Sequence, residues 1–505
     1  TVLENGEQAT VVELFGEFTP ANFSGLLGIP LVGKRSIKKT LAYLEDYLKL
    51  AADGHPDHLP QSSSKSKVNQ AVLDNRLAGL RDLSVSDKLI GLLKNFLLIG
   101  SDEEVAGMRP YALAEKWKVD PEELLKLFLY ATKEGVLNLS WELMCPNCRV
   151  SKEKVSSLSD IRPAFHCDLC GIQYEANFDR YVELHFSVAP IIRKAHRSVY
   201  CIGGPVASPH VYVQKRVNPG DSVDLPFPNE PFEWRLRVLR TNDILDVQEN
   251  QYGHAAAHFT ESGWQESFVS KPEANQPLRV ENKSENEIVI VLEKIEWDQT
   301  AVTAAKVTAM QEFRDLFSSE VLAPGQQIKI ENVTVLFSDL KGSTALYEVV
   351  GDAHAYSNVR RHFDFLTNLV RTNSGSVVKT MGDAVMAVFY KPEDAVKAAY
   401  AIHESLGEFN AGLVESEPLS VKVGIHAGPA IVVNSNDRLD YFGRTVNLAS
   451  RIQGKSDGDA FVISEELFKN PSVESFLQDL SVHIDPFYTE LKGIDETARL
   501  VKISL

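Results

Sequence analysis

The chain has 505 residues, of which 44% are hydrophobic and 24% charged, and its formal net charge is -17. That length has room for about three or four domains of ordinary size, and the composition is that of a globular protein. The negative balance excludes non-specific wrapping of nucleic acid, an affinity that comes from basic groups displacing phosphate counterions, and no uninterrupted apolar stretch is long enough to span a bilayer.

Thr1 follows no initiator Met and opens no basic-then-apolar leader, so it reads as a processing edge with upstream sequence missing, without an export signal, and a cytoplasmic location is expected. Residues 1–75 read as a helical segment around "KRSIKKTLAYLEDYLKLAAD" and a flexible linker, "GHPDHLPQSSSKSK". Residues 76–143 read as a helical domain. In "VDPEELLKLFLYATKEGVL", Asp120 can cap, Pro121 suits the first helical position and Gly135 suits the end. With the preceding "YALAEKWKV" this makes a helix-turn-helix pattern. Its second helix mixes Glu122, Glu123, Lys126 and Glu134 where a groove reader would be basic, so helix packing is expected and no nucleic-acid partner.

Four of the five cysteines fall in residues 144–179 as two CxxC pairs, Cys145/Cys148 and Cys167/Cys170, with 18 residues between the pairs. In a chain without an export signal this spacing reads as a zinc knuckle rather than as disulfides. Four thiolates leave no open position, so one structural Zn²⁺ per chain is expected and catalytic zinc is not.

From 180 to 300 the pattern changes to short alternating runs such as "FEWRLRVLR" and "NEIVIVLEKIEW", separated by Pro, Gly and Asn clusters, which predicts a β-sandwich. "CIGGPVASPH" lacks the Lys and Ser/Thr of a phosphate loop and reads as a turn, with Cys201 a buried or idle thiol. Residues 301–328 read as a coupling helix and linker. Met310, Phe313, Phe317 and Val321 form one stripe, Thr308 and Gln311 a capping box, and Pro324-Gly325 the stop.

In residues 329–505, "VTVLFSDLKGST" is an apolar strand that delivers Asp339 at its end, followed by a turn holding Gly342 and a helix start with Ser343 and Thr344, a setting whose N–H groups suit a phosphate. "VVKTMGDAVMAVF" predicts a hairpin turning at Met381-Gly382-Asp383. Taken alone, an Asp there is ordinary turn punctuation. A helix, a second hairpin ("LSVKVGIHAGPAIVV"), the loop-helix "LDYFGRTVNLASRIQ" and short strands follow, giving a ferredoxin-like βααββαβ layout of the α+β class. Two carboxylates on neighbouring strands, Asp339 and Asp383, can hold two divalent ions for phosphoryl chemistry, as polymerase palms also do.

Together "FSDLKGST", "VVKTMGDAVMAVF", "VGIHAGP", "LDYFGRTVNLASR" and "ELKG" resemble the catalytic domain of class III nucleotidyl cyclases over about 333–503. The resemblance implies Asp339 and Asp383 as ligands of two Mg²⁺ or Mn²⁺, and Lys379 with Asp440 as the pair that reads the purine edge. A Lys donor for N1 and a carboxylate acceptor for the exocyclic amine fit adenine, hence ATP and adenylate cyclisation. It further implies Asn447 for the ribose, Arg451 for transition-state charge on the α-phosphate and Lys492 for the terminal phosphates. His426 and Phe389 read as strand and core residues. In the family, the active sites lie between two catalytic domains. With every site residue on one domain, a homodimer is implied in which Lys379 and Asp383 share a hairpin yet serve different sites.

Residues 109–300 also resemble, more loosely, an uncharacterised region found ahead of some bacterial cyclase domains, in "RPYALAEKWKVD", "WELMCPNC", "FHCDLC" and "CIGGP". This implies bacterial origin and a regulatory place in the chain, with an unknown regulatory ligand or protein. The rival readings are a diguanylate cyclase, whose GGDEF-type hairpin is absent, a weak or guanylate-type cyclase acting mainly as a sensor, and a zinc-bearing transcription factor, which would need a basic surface.

Overall fold

A computed structural model describes residues 23–52, 65–83, 85–168, 170–196, 208, 210–249, 256–341, 352–413, 418–493 and 497–505. The chain divides into two compact units, one of residues 1–66, 101–104 and 195–296, the other of 67–100, 105–194 and 297–505. No helix among the described residues is long and apolar enough to cross a membrane.

The first unit holds the helix Phe23–Ala52 and a two-sheet sandwich. One sheet has five strands, ordered 268–270, 244–248, 234–238, 288–294 and 211–217, and the other has four, ordered 263–264, 256–260, 278–282 and 222–225. Alternation along each strand sends one set of side chains inward. Leu236, Ile290 and Leu292 from the first sheet meet Ala257, Leu278 and Val280 from the second in one core.

The second unit begins with helices α1 (Gln70–Ala78), α2 (Asp87–Ile99), α3 (Pro110–Trp117) and α4 (Pro121–Lys133). The α4 signals act as read: the Asp120 side chain accepts from Glu123 N at 2.8 Å, Pro121 opens the helix, and Gly135 follows it at φ 70°. Strand β1 (Leu137–Met144) pairs with β2 (Ser151–Val155), and β3 (Ala164–Cys167) with β4 (Ile172–Glu175). The run 182–188, read above as the start of the sandwich, is instead β5 (Val182–Val188), antiparallel to β1 from Leu137↔Val188 to Leu143↔Val182. The cause is a long-range apolar contact: Phe186 packs edge-on against Phe128 of α4 at 5.2 Å.

Residues 303–323 do not form one helix. They make two short ones, α5 (Ala304–Thr308) and α6 (Gln311–Leu316), parted where Met310 turns extended. Thr308 does not cap forward. Its hydroxyl donates back to Ala304 O at 2.7 Å, a bond that satisfies the side chain inside the first helix.

The remainder is one mixed sheet with helices. Its main elements are β6 (Gln327–Leu340), α7 (Asp352–Thr372), β7 (Gly375–Met381), β8 (Ala384–Phe389), α8 (Pro392–Ala411), β9 (Val421–Ser435), β10 (Arg438–Phe442), α9 (Arg444–Gln453), β11 (Ala460–Ser464), β12 (His483–Glu490) and β13 (Thr497–Ser504), with two short helices, Glu465–Phe468 and Pro471–Gln478, between β11 and β12. The sheet runs β7-β8-β6-β9-β11-β13-β12, with β10 hairpinned onto β9. Its first four strands are mutually antiparallel and stand in chain order 2-3-1-4, the ferredoxin-like arrangement. The stretch read as the first helix start, at 342–351, lies outside the described residues. Leu366 and Val370 of α7 and Ala395, Ala398 and Ile402 of α8 cover one face, packed on Leu336, Val385 and Phe389. On α9, Ile452 packs in a separate cluster with Val462 and Leu500.

Candidate active site

Residues 333–338 of β6 are buried along their whole length, so the strand is a rigid central element, and Asp339 is where it first becomes partly accessible. Ser338 pairs with Val385, which brings Asp339 alongside the β7–β8 turn. The turn is the expected hairpin. Gly382 holds φ 66°, a left-handed value that side chains disfavour, and sets Asp383 at the second loop position.

The two carboxylates feel one another. Burial lifts the Asp339 carboxyl above its ordinary range and the Asp383 charge lifts it further, while Lys422 and a hydrogen bond from Gln453 oppose the rise. The Asp383 Oδ2 is buried and has no hydrogen-bond partner among the described residues. A buried orphan acceptor beside a second carboxylate is a donor set that fits hard divalent cations.

Two neighbours escaped the sequence reading. Gln453 reaches Asp339 because α9 comes down on β9 at Gly424, where a Cβ would lie 2.0 Å from the Gln453 nitrogen; the glycine in "VGIHAGP" was its faint signal. His362 of α7 is fully buried, and neither ring nitrogen has a partner among the described residues. Burial pushes it down to about 4, with only the Asp383 charge working the other way. Nothing in a helix-period pattern distinguishes such a histidine from a core residue.

Lys379 and Asp440 come together. Lys379 lies on β7 and Asp440 on β10, and the ammonium meets Asp440 Oδ2 at 2.5 Å. Asp440 Oδ1 accepts from Tyr441 N at 2.8 Å, and the residue is 5% exposed. The Lys379 ammonium also lies 5.2 Å from the centre of the Phe442 ring. Phe442, Ile431 and Met381 nearby are exposed apolar residues.

Asn447 and Arg451 stand one turn apart on α9, both exposed, opposite the buried Thr445, Ala449 and Ile452. Lys492 is exposed just beyond β12. Among the described residues no side-chain hydrogen bond or ion pair joins these three to Asp339 or Asp383. Gly342, Ser343 and Thr344 lie outside the described residues. His426 and Phe389 are the strand and core residues expected: His426 Nδ1 meets Ser464 Oγ at 2.8 Å and Phe389 is fully buried.

The four knuckle cysteines converge at the ends of β1 and β3, their sulfurs all within 4.8 Å of one another, at 4.0 Å for Cys145–Cys170 and 3.8 Å for Cys148–Cys167. A tetrahedron of Zn–S bonds places sulfurs about 3.8 Å apart, so the set fits that ion. Hydrogen bonds from Cys145 and Cys170 pull the Cys148 thiol down, while those with Cys148 and Cys170 push the Cys145 thiol up, so the sulfurs titrate as one cluster.

Residues 326–483 match the family described as the adenylate and guanylate cyclase catalytic domain, and residues 71–226 match a family of unknown function, DUF5939. The chain is 31% identical over 140 residues to adenylate cyclase 1 of Rhizobium meliloti (strain 1021), covering 25% of this chain and 21% of that protein. It is 28% identical over 186 residues to an adenylate cyclase of Anabaena cylindrica, covering 34% and 36%. The crystal structure of an adenylyl cyclase from P. aeruginosa matches 36% of this chain and 96% of its own at 23% identity, with a TM-score of 0.31. The chain spans no more than 36% of the length of the two curated relatives. Residues 326–483 therefore form a class III adenylate or guanylate cyclase catalytic domain.

Proposed function

We propose that the protein is an adenylate cyclase that converts ATP to 3′,5′-cyclic AMP and pyrophosphate, working as a homodimer with two shared active sites. The observation that carries the choice of base is the contact of Lys379 with the nearly buried Asp440, a donor and an acceptor side by side. An adenine edge offers N1 as acceptor and its 6-amino group as donor, which pairs with both; guanine presents the reverse pattern.

Asp339 and Asp383 would hold two Mg²⁺ or Mn²⁺. Bound there, such ions supply Lewis-acid activation of the ribose 3′-hydroxyl and neutralise the leaving pyrophosphate. Lys379 and Asp440 fix the base, Asn447 orients the ribose, Lys492 holds the terminal phosphates, and Gly342, Ser343 and Thr344 bind the phosphate chain. The 3′-oxygen attacks the α-phosphorus in line, the bond to the β-phosphate bridging oxygen breaks, and the hydroxyl proton leaves to water. Arg451, a permanent planar multi-donor, stabilises the charge that grows on the α-phosphate.

Two features support the dimer. Asn447 and Arg451 face outward without a side-chain partner among the described residues, and exposed Phe442, Ile431 and Met381 surround the base-reading pair. On this reading Lys379 and Asp383 serve sites on opposite sides of the two-fold axis.

The knuckle would hold one structural Zn²⁺, and residues 71–226 would have a regulatory place. Metal analysis of protein prepared without added zinc is expected to find about one zinc per chain. Chelation is expected to unfold the knuckle, since such ions contribute on the order of 10 kcal/mol or more of apparent binding energy. Mass spectrometry of products from the full chain with ATP or GTP, and Mg²⁺ or Mn²⁺, tests the function. Cyclic AMP is the expected product, and a clear preference for GTP would overturn the reading of Lys379 and Asp440.

A further inference from the structure

The segment from Thr308 to Leu322 touches both strands that carry the base-reading pair. On the β10 side, the Arg314 guanidinium donates from Nε to Thr308 O at 2.9 Å and from Nη1 to Leu439 O at 3.0 Å, and it lies 5.5 Å from the centre of the Tyr441 ring. Thr308 Oγ1 meets the Tyr441 hydroxyl at 3.2 Å. Leu439 and Tyr441 are the residues immediately before and after Asp440, so the carboxylate is held by its two chain neighbours. Asn434, across the hairpin from Leu439, donates to Leu322 O at 2.8 Å.

On the β7 side, Gln311 Oε1 accepts from Val377 N at 2.8 Å. β7 is an edge strand whose pairing with β8 shifts register between Val377 and Lys379, so its outward amide needs a partner other than a strand. Asp315 pairs with Arg371 of the last turn of α7 at 2.5 Å, just ahead of β7. One short segment therefore sets the strand under Lys379 and the strand under Asp440.

The same segment is bound on its other side to residues 126–158. Glu320 Oε2 accepts from Trp141 Nε1 and from Leu158 N, each at 3.0 Å. Glu312 pairs with Lys126 at 3.3 Å, Lys133 Nζ donates to Leu316 O at 3.3 Å, and the rings of Phe313 and Trp141 meet edge-on at 5.9 Å. A cleft of about 410 Å³, lined among others by Phe313, Arg314, Lys379, Arg438 and Leu439, lies beside these contacts. Among the described residues no hydrogen bond or ion pair joins the segment to Asp339 or Asp383.

We propose that Arg314, with Gln311, is a positioning residue for the base-reading pair, and that residues 126–158 act on the enzyme through it by setting how well the purine is recognised, leaving the metal carboxylates untouched. The inference rests on the reading of Lys379 and Asp440 as base readers. It adds a direction: a signal arriving at Glu320 changes nucleotide affinity and choice, not metal affinity.

The test uses the full chain and four proteins, wild type, Arg314→Ala, Gln311→Ala and Glu320→Gln. Cyclisation of ATP and GTP is measured, together with calorimetric binding of 3′-deoxy-ATP, which lacks the attacking hydroxyl, and Mn²⁺ titration at saturating nucleotide. Arg314→Ala is expected to raise the KM for ATP and the dissociation constant of 3′-deoxy-ATP about tenfold, the scale of a displaced positioning group. Its ATP-over-GTP ratio is expected to fall about fivefold, and half-saturation by Mn²⁺ to stay within about twofold. Gln311→Ala and Glu320→Gln move the same quantities by less, which keeps the test alive if the Arg314 variant does not fold. Equal losses in kcat for both nucleotides with KM and ratio unchanged, or a shifted Mn²⁺ dependence, overturn the inference alone. Wild-type protein that cyclises neither nucleotide overturns the function and the inference with it.

Discussion

The two charged ends of the hairpin from β7 to β8 are prepared in opposite ways. At the Lys379 end every charge has an answer within the chain: the ammonium sits on Asp440, and Asp440 spends its second oxygen on a backbone amide. At the Asp383 end, one carboxylate crowds another and a buried oxygen is left over. On the proposed reading the first corner would be a finished recognition surface, which a base would enter by exchange. The second is unfinished, and its electrostatics favour an incoming cation.

The sharpest way to break this contrast is to empty the unfinished corner. Asp339→Ala or Asp383→Ala is expected to cut cyclase activity on the order of a thousandfold, several kcal/mol of barrier, while leaving the melting temperature level or slightly higher because a like-charge contact has gone. Product quantification beside a thermal melt checks both halves, and a variant that retains wild-type turnover ends the metal assignment.

The orphan histidine behind that corner predicts an acid liability. His362 is pushed down to about 4 from an ordinary 6.5. The unfolded chain therefore takes up a proton below about pH 6.5 that the folded chain refuses. The stability lost grows as pH falls through that window, reaching about 3 kcal/mol near pH 4. His362→Phe should flatten this part of the curve of unfolding midpoint against pH; parallel curves for the two proteins would show that the site titrates differently.

At the finished corner the effects are smaller. Lys379→Ala is expected to lower discrimination between ATP and GTP by about tenfold or somewhat more, because a site built to hydrogen-bond the base then leaves Asp440 without its partner. Competition assays with both nucleotides measure it. An unchanged ratio would mean that the base is read elsewhere.

Mixing then asks whether the two corners of one hairpin belong to one site. If the sites are shared, Asp383→Ala and Arg451→Ala homodimers would each have two defective sites, whereas a mixed dimer would have one complete site. With random re-pairing of equal amounts, recovery should approach about a quarter of wild type. Subunits shown by native mass spectrometry to have exchanged, yet still inactive, would place the whole site within one chain.

Much of this was legible in the residues. The run "VTVLFSD" announces a buried central strand with an acid at its end, and Gly382 announces the turn, because both signals are local. What was not legible depends on distant partners. "VELHFSV" alternates as any strand does, and only the packing on α4 decides that it joins β1 rather than the sandwich. The stripe of Met310, Phe313, Phe317 and Val321 reads as one helix, yet the chain breaks at Met310, where Thr308 turns back on its own helix and Arg314 takes the Thr308 carbonyl. Gln453 and His362 gain meaning only from the carboxylates that the fold brings near them.

If Lys379 and Asp440 read the base, their ion pair would also make the site a filter with a built-in penalty. A base with the right edge replaces both partners at once, and the exchange is nearly even. A ligand that offered only half the edge would strand the carboxylate of a residue that is 5% exposed, at a cost of about 1 to 3 kcal/mol or more. Rejection would then be enforced by the charge a wrong ligand leaves behind as well as by the bonds it fails to make.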